Sequence, residues 1–314
     1  MARTDLRLEF RIPISPSERF FSQVRFFNFA LRRLEAARYR NARITVVVGD
    51  QCDMDAVRRQ NSWSENFNVT WERVPDDIFQ EFHYWGTANW RLNIPVCDVD
   101  VVILSDADTV LLRDIDPLLD EFPLSKPTLC GHVAHLPPHQ GHDNIAPPAL
   151  SPEFWPWLFG AFEIPWPDRT YRYTMDLKAE WPVCPPYFNL GFLALNPEAV
   201  ALLAVEIAET TRRLGRLTQS VMRCQLAMTL IAFRLGLNIR TLSTEYNASN
   251  HLDIMAHNGV KADRIRVLHY QVEDEIARDE LQPALIDDML SRVVTNPANI
   301  ALQDLARAYR ETLQ

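Results

Sequence analysis

Asp106 and Asp108 stand one residue apart in the run VVILSDADTVLL (101–112), where every neighbour except Ser105 and Thr109 is apolar. A carboxylate buried without compensation costs several kcal/mol even after the protein relaxes around it, so a positive partner or water must meet this pair. Residues i and i+2 of a strand point to one face about 6.6 Å apart, and such carboxylates converge on one point only where the strand ends and turns. Hard divalent cations take oxygen ligands, and magnesium or manganese typically binds one or two carboxylates with phosphate oxygens and waters. A metal joining the protein to a diphosphate would neutralise the acids and act as a Lewis acid on the departing phosphate. His269 closes a second apolar run, RVLHY (266–270), and is the candidate third ligand, with a hydrogen-bonded structural histidine as the competing reading. Asp114 and Asp116, in RDIDP, read instead as the capped start of a helix.

The elements that must position these groups follow from the pattern of apolar residues. LRLEFRIPI (6–14) alternates like a strand, and a helical pattern follows it behind Ser-Pro. ARITVVVGD (42–50) is a continuous apolar run ending in Gly-Asp, as a buried parallel strand would, and NVTWERV (68–74) is a shorter strand candidate. GTANWRLNIP (86–95) reads as a helix and VDVVILSDAD (99–108) as the next buried strand. This alternation predicts an α/β fold with a mostly parallel central sheet flanked by helices, binding ligands at the strand C-terminal ends. Between 123 and 186 prolines and tryptophans crowd together without periodicity, which predicts an irregular functional loop or lid. Its tryptophans, Trp155, Trp157, Trp166 and Trp181, could stack on a ligand or pack within the loop. A strand (186–197), two helices (198–214 and 218–235), the strand NIRTLS, the strand ending at His269 and two amphipathic C-terminal helices complete the chain. The expected organisation is one domain over 1–271 with a helical appendage over 272–314.

Composition removes several classes. With 314 residues, 47% hydrophobic and 23% charged, the chain can bury a large core. A formal charge of −9 argues against nucleic acid or anionic membranes as partners. Five cysteines without CxxC spacing suggest neither a disulfide framework nor a zinc ribbon, and no stretch has the apolar length of a membrane span or a signal-peptide core. A reduced, cytoplasmic protein is expected. The three lysines and nine glycines form no phosphate-binding, dinucleotide or nucleophile-elbow motif.

Four stretches resemble, in order, the nucleotide-sugar glycosyltransferases of the GT-A fold, particularly the glycogenin and bacterial lipopolysaccharide glycosyltransferase group. TANWRLNIP resembles the arginine-bearing helix ahead of the metal motif, and VVILSDADTVLLRDIDPLL the Asp-x-Asp strand. PYFNLGFLALNP resembles the Phe-Asn-x-Gly strand, and RVLHY the C-terminal metal-binding histidine. The likeness covers roughly residues 6–271. It implies that Asp106, Asp108 and His269 hold Mn2+ or Mg2+ on the diphosphate of a nucleoside diphosphate sugar, with UDP the expected nucleotide. It further implies that Arg91 contacts the nucleotide or its phosphate, that Pro13, Ile14 and Asp50 bound the base pocket, and that Asn189 and Gly191 line the sugar site. Gln225 resembles the glutamine of an acidic-glutamine pair near the sugar, although Cys224 stands where the acid belongs. TEYNAS resembles a Tyr-Asn turn, which makes Tyr246 and Asn247 pocket candidates. The acceptor would be a saccharide or another hydroxyl compound. A retaining course needs no acceptor-side base; an inverting one would draw on Asp143, Asp168 or Asp176.

Three other readings compete. The pattern of apolar residues into Asp-x-Asp-x-Val also resembles the nucleophile strand of haloacid-dehalogenase-type phosphatases, with Asp106 as nucleophile and Asp108 as acid/base. That class needs a later lysine and acidic pair, and Lys178, Lys261 and Asp287-Asp288 lie in poor contexts for it. His132, His135, His139 and His142 have ligand-like spacing that would suit a zinc or regulatory binding module. A non-catalytic carbohydrate-binding relative is the third.

Overall fold

Strand β1, Leu8–Ile14, is buried almost throughout and runs between β2 and β4. The computed structural model describes residues 5–140 and 144–313. Strands β2 (Arg43–Val48), β3 (Val69–Arg73) and β4 (Val101–Ser105) come from the apolar runs of the first half. The three-residue β5 (Thr109–Leu111) follows, then β6 (Thr128–Val133) and β7 (Phe188–Leu195). The chain closes with β8 (Asn238–Thr241), β9 (Ala248–Ser249) and β10 (Val267–His269).

The large sheet has the order β3-β2-β1-β4-β7-β6-β8. Neighbours are parallel except at β7, which runs antiparallel to both β4 and β6. A small sheet, β5-β10-β9, stands beside it. Helices cover both faces, and a third apolar cluster joins helix Glu18–Arg32 to the C-terminal helices Ile286–Ser291 and Pro297–Glu311 through Phe26, Met289, Leu302 and Tyr309. The long helices start where Asn-Pro says they should. The side chains of Asn196 and Asn296 accept from Ala199 N and Ala298 N, and proline fills the first helical turn.

Two departures from the sequence expectation concern the 123–186 segment. It contains β6 and helix Phe154–Ala161, so it is not irregular throughout. Its tryptophans mostly pack: Trp155 is buried and donates to Tyr173 Oη at 2.7 Å, and Trp157 and Trp181 lie against the same core. The tight pairing of β6 with β7 and β8 supplies what its short apolar run could not signal.

One buried ion pair prepares the site. On β1 Arg11 Nη2 meets Glu9 Oε2 at 2.9 Å, and Thr45 Oγ1 donates to Glu9 Oε1 at 2.6 Å. Arg11 Nη1 also donates to the carbonyls of Arg91 (2.6 Å) and Ile94 (3.0 Å), satisfying the last turn of helix Tyr84–Asn93. That contact fixes the end of the helix that carries Arg91.

Candidate active site

The turn between β4 and β5 is where the chain leaves the large sheet for the small one, and Asp106, Ala107 and Asp108 form it. Asp106 N donates to Gly191 O on β7 (3.2 Å), and Tyr270 N donates to Asp108 O (3.0 Å). Thr109 Oγ1 donates to Asp106 O at 2.7 Å, which closes the turn locally. The strand thus ends where the convergence of two carboxylates requires. His269 pairs with Thr109 across β10 and β5, which brings its Nε2 to 3.1 Å from Asp108 Oδ1.

Among the described residues, Asp106, Asp108 and His269 are the group able to hold a metal ion, with ligand atoms all within 4.8 Å of one another. The 3.1 Å between Asp108 Oδ1 and His269 Nε2 suits adjacent ligands of one ion, since bonds of about 2.1 Å at right angles put their donors about 3 Å apart. Two carboxylate oxygens and an imidazole nitrogen make a donor set able to hold a divalent metal ion.

Charge sets the state of these groups. Burial opposes ionisation of Asp108, but the charges of and hydrogen bonds from His269 and Arg278 outweigh it and hold the carboxyl far below the usual range. Burial raises Asp106 above its usual value despite Arg91 and His269, and Asp108 adds repulsion. For His269 burial works against the cation, yet Asp108 and then Asp106 prevail and its pKa is raised. Arg91 is fully buried, which lowers its pKa; its Nη1 donates to Ser105 O at 3.1 Å and reaches Asp106 Oδ1 at 3.5 Å.

A cleft of about 260 Å³ opens beside Asp106, and Pro13, Ile14, Arg91 and Gln225 line it together with that carboxylate. Across its mouth Tyr84 Oη and Trp85 Nε1 both donate to Val221 O, at 3.1 and 2.9 Å, and the Arg223 guanidinium lies 3.6 Å from the centroid of Trp85. Cys224 also lines the cleft; burial pushes its thiol up to about 12, so it stays neutral.

A second group forms around Gly191. Asn189 Oδ1 accepts from Gly191 N (2.7 Å) and from Asn247 Nδ2 (3.0 Å), so Asn189 bonds the backbone of its own strand and holds Asn247. A Cβ on Gly191 would stand 2.5 Å from His269 Nδ1, which is why only glycine fits there.

Two of the sequence candidates lie elsewhere. Asp50 follows β2 in the left-handed region (φ 72°), is exposed, accepts from Gln51 N and does not line the cleft. Tyr246 packs into the core cluster that holds Val267 and Ile115, and Arg266 faces its ring. Asp114 and Asp116 stand outside the metal group: Asp114 Oδ1 accepts from Asp116 N at 3.1 Å, and Asp116 opens helix Asp116–Glu121. His132 and His135 are buried and His139 is exposed, and they join no metal group; His142 and Asp143 lie outside the described residues.

Sequence reasoning passed over Arg278, whose Nη1 lies 2.8 Å from Asp108 Oδ2, and the Tyr84–Trp85 wall of the cleft. Arg278 sits in the acid-rich EDEIARDE, which reads as solvated surface; the aromatic pair opening the helix of Arg91 was a visible signal.

The fold is that of the GT-A glycosyltransferases. Among solved structures it is similar to the apo WbbM bifunctional glycosyltransferase, with TM-score 0.53, 15% identity and coverage of 98% of this chain and 52% of that one. It is likewise similar to apo mouse xyloside xylosyltransferase 1, with TM-score 0.51, 15% identity and coverage of 87% and 99%. The chain spans about half the length of WbbM. No protein-family model and no curated protein matches the sequence. No helix among the described residues is long and apolar enough to cross a membrane.

Proposed function

We propose that this protein is a glycosyltransferase that moves a sugar from a nucleoside diphosphate donor, UDP-linked, to a hydroxyl acceptor, with Mn2+ or Mg2+ held by Asp106, Asp108 and His269. One observation carries the reading. Asp106 belongs both to the three-residue ligand group and to the wall of the cleft that Pro13, Ile14, Arg91 and Gln225 line, so ion and nucleotide would meet at a shared carboxylate. The likeness in fold to two glycosyltransferases supports it. The bound ion would supply Lewis-acid stabilisation of the leaving diphosphate. Arg91, locked by Ser105 O and Ala88 O, would add a fixed positive charge that costs no reorganisation during reaction. Gln225 would offer its amide to the sugar, while Asn189 and Asn247 hold the strand ends beneath.

A retaining course agrees with the two described acids among the candidate bases of the 123–186 segment. Asp176 is buried and spends its carboxylate on Arg172, Glu180 N and Trp181 N, and Asp168 is exposed outside the cleft. The phosphatase reading finds no lysine lining the cleft.

Thermal unfolding with a panel of nucleoside diphosphates, with and without Mn2+, tests the proposal. UDP at 100 times its dissociation constant stabilises the wild type by about 2.7 kcal/mol, only with metal, and Asp108→Ala abolishes the effect. Absence of any metal-dependent nucleotide shift in the wild type sinks the reading.

A further inference from the structure

The ligand carboxylate of Asp108 already has a cation on it. Its Oδ1 faces His269 Nε2, and its Oδ2 lies 2.8 Å from Arg278 Nη1. Arg278 opens the short helical turn Arg278–Leu281, in the segment beyond His269, and its Nε donates to Glu273 Oε1 at 2.8 Å. Glu273 in turn accepts from Arg19 Nη2 at 2.7 Å, which ties the arrangement to the first helix. The Asp108 side chain is only 14% exposed, so water screens this contact weakly.

We infer that Arg278 is an internal counter-cation that competes with the divalent ion for Asp108, so that the nucleotide-free protein binds metal weakly. This rests on the metal reading above. A guanidinium cannot shed its proton to make way. It stabilises the ionised Asp108 that an incoming ion would use, and its charge repels that ion at a separation of a few ångströms, where repulsion in a part-buried site far exceeds RT. A neutral donor in the same place would orient the carboxylate without repelling the ion. Charge therefore decides the sign, and the sign is competition. The side chain is 31% exposed and anchored on Glu273 as well, so it can leave Asp108 without becoming unpaired. An anionic ligand arriving with the ion makes up the negative charge that Arg278 gives up, which couples the two binding events reciprocally.

The experiment is a titration with Mn2+ followed by electron paramagnetic resonance, without nucleotide and then with UDP, on the wild type, Arg278→Gln and Arg278→Lys. Melting curves of the metal-free proteins serve as the check on folding. Arg278→Gln binds Mn2+ about tenfold more tightly than the wild type without nucleotide and gains less on adding UDP, a size expected for coupled sites; Arg278→Lys stays near the wild type. A variant that had only lost structure would bind metal more weakly, so the direction separates the two, and Arg278→Met repeats the test if the glutamine lowers the melting point. Equal or weaker Mn2+ binding by both neutral variants overturns the competition while leaving the metal site standing. Absence of Mn2+ binding by every protein, with UDP present, overturns the metal reading itself.

Discussion

Two sets of histidines in this molecule are buried to the same degree and shifted in opposite directions. His269 meets a carboxylate, and its pKa is raised although burial alone would lower it. His132 and His135, whose rings are 5.4 Å apart, meet the hydroxyls of Thr244 and Thr174. Burial pushes them down to about 4 and about 3, and His135 also feels the other imidazoles. A hydroxyl can satisfy a ring nitrogen but cannot offset the cost of charging it. The partner therefore decides which way burial's effect on a histidine is tipped, and a metal ion that takes His269 as a ligand must first displace its proton.

The most severe way to break this contrast is to push His269 off its carboxylate. Gly191→Ala would place a Cβ 2.5 Å from His269 Nδ1 and 2.8 Å from Asn189 Oδ1. The expected losses are about 100-fold in metal affinity and up to roughly 3 kcal/mol of stability from overpacking. Calorimetric metal titration beside chemical denaturation measures both, and unchanged metal affinity would remove His269 from the site.

Acid sharpens the contrast. For His132 and His135 the folded pKa lies below the unfolded value near 6.5, so the unfolded state binds more protons as pH falls. Stability then drops from pH 6.5 down through their folded values, by roughly 2 kcal/mol for each between pH 7 and pH 5. His269 has the opposite sign. Its contribution in the metal-free protein is complete below pH 6.5 and disappears as pH rises through its raised folded value. Urea midpoints of metal-free His132→Asn and His269→Gln across pH 5 to 9 therefore diverge from the wild type in opposite senses: the first flattens the acid loss, and the second costs most at low pH. Parallel curves would abolish the distinction.

The gentlest test is Thr244→Val, which leaves His132 Nε2 without its hydroxyl in a site where its Nδ1 has no hydrogen-bond partner among the described residues. A cost of about 1 kcal/mol in the denaturation midpoint is expected, with no change in metal binding.

Which parts of this were legible in sequence follows from range. Strands β2 and β4 announce themselves because a strand covered on both faces is apolar at successive positions, and β1 because its residues alternate. Asp106 and Asp108 stand out because they interrupt such a run, and His269 because it ends one. The three-residue β5 and two-residue β9 exist only through their pairing with β10, below the length at which periodicity carries meaning. The contact of Arg278 with Asp108 spans 170 residues, and no local pattern distinguishes that arginine from its neighbours on the surface. Tyr246 shows the reverse case, a residue named for the likeness of TEYNAS to a Tyr-Asn turn whose ring packs into the core.

The same long span bears on how the protein is made. His269 follows Asp108 by 161 positions. At translation speeds of about 5–20 residues per second the histidine emerges roughly 8 to 30 s after the acid. Until then β4 ends in an acidic turn without β5's partner strand, its histidine or its arginine. A ribosome-bound chain can build most of the large sheet long before Asp106, Asp108 and His269 can come together, and the candidate site is among the last features of the molecule to take shape.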